Sequence, residues 1–131
     1  MKEPSFEDRM FPLYRKAFET LVERQKKYGP NNILLAGEWG VMEQIQNKVA
    51  RARAQLHGEI RSGQVQLGTM TADTMEVYRD SLLDLANYSL ILIALAEGRW
   101  TAEMVVDWDE EFADRAKVYE DIVLADHGVV R

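Results

Sequence analysis

Glu76-Val-Tyr-Arg-Asp80-Ser-Leu-Leu-Asp84-Leu-Ala-Asn87-Tyr-Ser-Leu-Ile-Leu-Ile-Ala-Leu-Ala-Glu97 is the run whose reading decides the fold class. At about 100° per residue, Glu76, Asp80, Asp84 and Asn87 fall within a helical sector of roughly 80°. Three carboxylates are stacked a turn apart on one face, while Met75, Leu82, Ala86, Leu90 and Ile93 occupy the opposite one. Beyond Tyr88 the helix is apolar all round, and Ile91 and Leu95 continue the line of the carboxylates, so the sequence predicts a central, buried helix. Stacked like charges destabilise a helix, and a half-buried carboxylate needs a partner. A divalent cation held by Glu76, Asp80 and Asp84 answers both penalties; the alternative is a solvated acidic stripe.

Turn signals on either side set out the rest of an all-α chain with no strand. A first helix is expected from about Phe6 to Tyr28, with Pro12 near its start, closed by Gly29-Pro30-Asn31-Asn32. A second runs from near Ala36 to about Arg61 and ends at Ser62-Gly63, before a polar link from Gln64 to Ala72. Asp73 can cap the third helix, with Glu76 answering it in a capping box, a second reading of that glutamate. Gly98 closes the third helix, and Thr101 can cap a fourth that reaches about Asp126. No repeat or low-complexity tract divides residues 1–131, so one domain is expected.

On the second helix Val41, Met42, Ile45, Val49, Ala52 and Leu56 form an apolar stripe, and Glu38 projects onto its middle. A carboxylate there either coordinates a metal or, near a helix start, offsets the positive end of the helix dipole. Lys48, Arg51 and Arg53 flank the stripe, as a solvated basic face or as partners for phosphate.

Composition narrows the chemistry. The 131 residues are 47% hydrophobic and 29% charged, with a net charge of −6 that argues against general binding to a nucleic-acid polymer. There is no cysteine, which excludes thiolate sites, and the two histidines stand alone, so a metal site would be oxygen-rich and suit Mg²⁺ or Mn²⁺. The start carries no signal-like apolar core, and Leu90–Ala96 is too short to cross a bilayer, so a cytoplasmic protein without membrane contact is expected.

Tyr28-Gly29, Gly40-Val41 leading to Asn47-Lys48-x-x-Arg51, and Glu76-x3-Asp80-x3-Asp84-Leu-Ala-Asn87-Tyr88 resemble the MazG-like all-α nucleoside triphosphate pyrophosphohydrolases, in their small phage-type, nucleotide-modification-associated branch. The likeness runs from about Lys27 to Ala96. It implies an oligomeric four-helix bundle in which acidic residues of two helices hold Mg²⁺ or Mn²⁺ and a (deoxy)nucleoside triphosphate is hydrolysed to monophosphate and pyrophosphate. It also implies a homodimer or homotetramer, in a host cytoplasm if the chain is phage-encoded. The metal set on this reading is Glu38, Glu76, Asp80 and Asp84, and Glu43 is the catalytic base. Lys48 and Arg51 face the phosphates, Asn87 orients an aspartate or contacts the sugar, and Tyr28 binds substrate. The family pattern has ExxE and ExxD, whereas here Glu38 and Glu43 stand five apart, Asp80 and Asp84 four apart, and Asn47 replaces an aspartate before the lysine. Which second-helix carboxylates bind metal therefore stays open. On this reading neutralising Asp84 relieves repulsion and leaves the metal-free chain as stable or more so. The rival class is a non-catalytic helical nucleotide-binding or protein-interaction module, whose acidic cluster from Asp107 to Glu111 would meet a basic partner.

Overall fold

The computed structural model describes residues 3–61 and 71–108, with the backbone alone for 57–61. Among these residues there are three helices and no strand: α1 (Phe6–Tyr28), α2 (Asn31–Arg61) and α3 (Ala72–Ala96). The all-helical class is as the apolar spacing predicts. The chain divides into two compact units, Met1–Gly29 with Val105–Arg131, and Pro30–Met104.

In the first unit, α1 starts where a reciprocal cap satisfies two orphan donors. Ser5 Oγ accepts from the Asp8 amide at 3.1 Å, and Asp8 Oδ2 accepts from the Ser5 amide at 3.0 Å. Pro12 lies inside the helix, and Gly29, at φ 74°, ends it with its amide on the Gln25 carbonyl. Ala17 and Val22 are its buried side chains. The Trp108 ring meets Phe18 edge-on at 5.4 Å between centroids, and Lys26 Nζ donates to the Trp108 carbonyl at 3.0 Å. The expected fourth helix does not begin at Thr101: residues 101–108 make one turn, then run irregularly, while 109–126 lie outside the described residues. Val105-Val106 is a β-branched pair with poor helix propensity, and in this unit Trp108 is held against α1 instead.

The second unit is an antiparallel pair of helices. Lys48 meets Asp84, and Trp100, just past α3, donates from Nε1 to the Pro30 carbonyl at 3.0 Å, just before α2. Later residues of α2 thus lie against earlier residues of α3. Val41, Ala52 and Ile91 are buried along the seam. A fully buried valine or isoleucine contributes about 1.5–3 kcal/mol. Two small residues, Ala52 of α2 and Ser81 of α3, are among the buried side chains.

Two helix starts differ from the sequence reading. Asn31 and Asn32 belong to the first turn of α2 rather than to a loop, but Gly37 breaks the helical path with φ 67° and ψ −177°. The uninterrupted segment therefore starts after Gly37, close to the expected Ala36, and Glu38 opens it. At α3 the cap is Thr71, whose Oγ1 accepts from the Thr74 amide at 3.2 Å. Asp73 falls inside the first turn and Glu76 stands too far along to complete a capping box, so that role for Glu76 is withdrawn.

A Cβ at Gly37 would meet nothing within 4 Å, so conformation rather than space requires glycine there. Gly37→Ala is expected to lower unfolding free energy by about 1–3 kcal/mol, read from urea denaturation, because this region of backbone space is nearly closed to a side chain.

Candidate functional site: a buried ion pair and an acidic edge between α2 and α3

The sequence places Lys48 at the flank of the α2 stripe and Asp84 in the middle of the acidic line of α3. Antiparallel packing brings them together. Lys48 Nζ lies 3.0 Å from Asp84 Oδ2, with side-chain exposures of 16% and 8%. A charge buried to this degree is costly unless it is neutralised and hydrogen-bonded, and Lys48 is among the partners that meet this requirement for Asp84. Asn87, three residues on, is also buried, as is Ser81, whose hydroxyl donates to the Val77 carbonyl at 2.9 Å.

The buried face of α3 thus differs from the expected one. Ser81, Asp84, Asn87 and Ile91 turn inward, whereas Leu82, Leu90 and Ile93 of the apolar line are exposed, the last two by more than half. The apolar run after Tyr88 is covered along one line and not all round. The polar line faces α2 because α2 presents an ammonium to it.

Around the pair the remaining residues sort by helical position. Asp80 and Glu76 precede Asp84 by one and two turns and are exposed. Arg51, one turn after Lys48 and likewise exposed, comes level with Asp80, and the handedness of the two helices puts both on the same edge of the seam. Carboxylates of one helix and cations of the other therefore share an edge. Glu38 does not join them: it is exposed and lies ten residues before Lys48, about 15 Å along the axis. Glu43 is exposed too, about 140° round α2 from Lys48. Tyr28, 57% exposed, ends α1 in the other unit, with Lys27 Nζ 5.2 Å from its ring centre.

The donors on the α3 edge are carboxylates with the Asn87 amide close by, a set whose chemistry suits Mg²⁺ or Mn²⁺. No group of three acidic or histidine side chains is gathered to hold a metal among the described residues. Nor is any helix of the described residues long and apolar enough to cross a membrane. The sequence reading passes over Ser81 and Trp100. Only knowledge of which helix lies opposite could have marked a lone serine as buried.

No family model, curated protein or solved structure matches this chain.

The Lys48 contact reverses one expectation. Asp84→Asn removes the anion that neutralises a largely buried ammonium, so it is expected to lower metal-free stability, by about 2 kcal/mol or more. Asp80→Asn, at an exposed position, is expected to change it by less than about 0.5 kcal/mol. Parallel thermal melts of the two variants in chelator check the contrast; equal melting temperatures would contradict the importance assigned to the pair.

Proposed function

We propose that this chain is a metal-dependent nucleoside triphosphate pyrophosphohydrolase of MazG-like type. The observation that carries the reading is the buried Lys48–Asp84 pair, with exposed Asp80 and Glu76 one and two turns before Asp84 on α3 and exposed Arg51 one turn after Lys48 on α2. A triphosphate cannot approach carboxylates alone; it needs cations on both sides of the charge balance. Asp84, with Asp80 and Glu76, would be the residues to hold Mg²⁺ or Mn²⁺, and such an ion would supply neutralising charge and an acidified water for attack at the α-phosphorus. Water adds there, the bond from the α-phosphorus to the α–β bridging oxygen breaks, and pyrophosphate leaves as the nucleoside monophosphate forms. Lys48 and Arg51 would neutralise the charge that grows on the leaving pyrophosphate. Asn87, buried one turn past Asp84, would hold that aspartate in position.

Glu38 and Glu43 stand away from this edge, so the reading rests on α3 for its ligands and leaves the general base unassigned. Exposed Leu82, Leu90 and Ile93 of α3, together with Leu35 and Trp39 of α2, support assembly into a homodimer or homotetramer. The same exposed side chains also favour the second reading, a helical interaction module without catalysis. A panel of ribo- and deoxyribonucleoside triphosphates with Mn²⁺ or Mg²⁺, read by pyrophosphate release, separates the two. Release from at least one substrate is expected, falling by about a hundredfold or more in Asp84→Asn and in Lys48→Met. No release from any substrate, in a protein that nevertheless associates by light scattering, would leave the interaction module.

A further inference from the structure

Resting on the assembly part of the reading above, we infer that α2 pairs with α2 of a second copy of this chain, antiparallel, through the face it turns away from α3. Spacing marks that face. Beyond the helical break at Gly37, Trp39, Met42, Gln46, Val49, Arg53 and Leu56 follow one another at alternating steps of three and four residues, the period of a helix that coils against another. Met42, Val49 and Leu56 make one line, wholly apolar; Trp39, Gln46 and Arg53 make the other. The six lie about 80–180° round α2 from Lys48, whose side of the helix α3 covers. Trp39 is accordingly 89% exposed, Met42 39% and Val49 38%, and Gln46 and Arg53 are exposed as well. Charge selects the occupant. Exposed Glu38 and Glu43 flank the first half of this seam, one on each side, whereas the second half carries exposed Arg53 and no acidic residue. A face acidic at one end and basic at the other complements a reversed copy of itself. Parallel pairing would set Glu43 against Glu43 and Arg53 against Arg53. The antiparallel register that uses all six residues sets Trp39 against Leu56 of the partner subunit, Met42 against Arg53 of the partner subunit and Gln46 against Val49 of the partner subunit, each twice by symmetry. The Arg53 stem then packs on Met42 while its guanidinium reaches Glu43 of the partner subunit. Lys48 and Arg51 lie on the other side of α2, so the edge they share with α3 stays open in the dimer.

The test uses the full chain, which contains no cysteine. Light scattering of wild type is expected to give at least twice the 15.1 kDa of one copy. Met42→Glu, at a side chain already partly exposed, is expected to weaken the pairing about a hundredfold or more, because each closed seam would desolvate two unpartnered carboxylates. Orientation is read by cysteine pairing. A chain carrying both Met42→Cys and Arg53→Cys is expected to form disulfide-linked dimers under mild oxidation, and one carrying Met42→Cys alone to form few. The two positions lie about 16 Å apart along one helix, too far to bridge, so any disulfide joins two copies. Should Met42→Glu fail to fold by circular dichroism, the cysteine pair decides alone. A folded Met42→Glu that keeps the wild-type mass, or a double-cysteine chain that forms no linked dimer, overturns this face and leaves assembly through the apolar side chains of α3 standing. Linkage through Met42→Cys alone as efficient as through the pair overturns the antiparallel register. A wild-type mass of 15.1 kDa overturns the pairing and the assembly together, while pyrophosphate release judges the catalytic reading separately.

Discussion

Two opposite charges in a helix seam set the terms for the rest of the second unit. The Lys48–Asp84 pair lies among Val41, Ala52, Ser81 and Ile91, where either ion alone would be expensive. Replacing the pair by well-packed apolar side chains could leave the unit equally stable, so stability is not its best explanation. It does select one arrangement. Rolling α3 to bury Leu82, Leu90 and Ile93 against α2 would carry Asp84 out of the seam and leave Lys48 unmatched at its edge. The charges thus oppose the arrangement that apolar content alone would choose.

That selection has a second effect. With the polar line of α3 committed to α2, its apolar line is left at the surface of a single chain, as are Leu35 and Trp39 of α2. An apolar line on each of two packed helices is what a further layer of helices covers. The same choice that places carboxylates and cations on one edge therefore leaves apolar side chains exposed elsewhere on the two helices.

Much of the fold was legible because its punctuation is local. Gly29-Pro30 and Gly98 mark helix ends wherever the structure is read, and the acidic and apolar lines of α3 are real features of its surface. The differences are of two kinds, one local and one long-range. Thr71 takes the cap two positions before Asp73, although aspartate is the better capping residue in general. The inward face of α3 was misjudged because counting apolar residues cannot detect a lysine brought opposite from α2. Of the candidate site, Lys48, Asp84 and Asn87 converge in the seam, with Arg51 and Asp80 along its edge. Glu38 and Glu43 do not converge with them, since position on a second helix has no signature until the register between helices is known.

The break at Gly37 leaves Trp39 just beyond it, 89% exposed, while Trp100 spends its indole proton on Pro30 and Trp108 is paired with Phe18. The three indoles of this chain thus sit in three different surroundings, one open to water and two in contact with protein. An indole in water emits at longer wavelength and is quenched by small solutes more readily than one that is covered. Trp39 is accordingly a built-in optical gauge of whatever comes to lie on that part of α2, readable without adding any label.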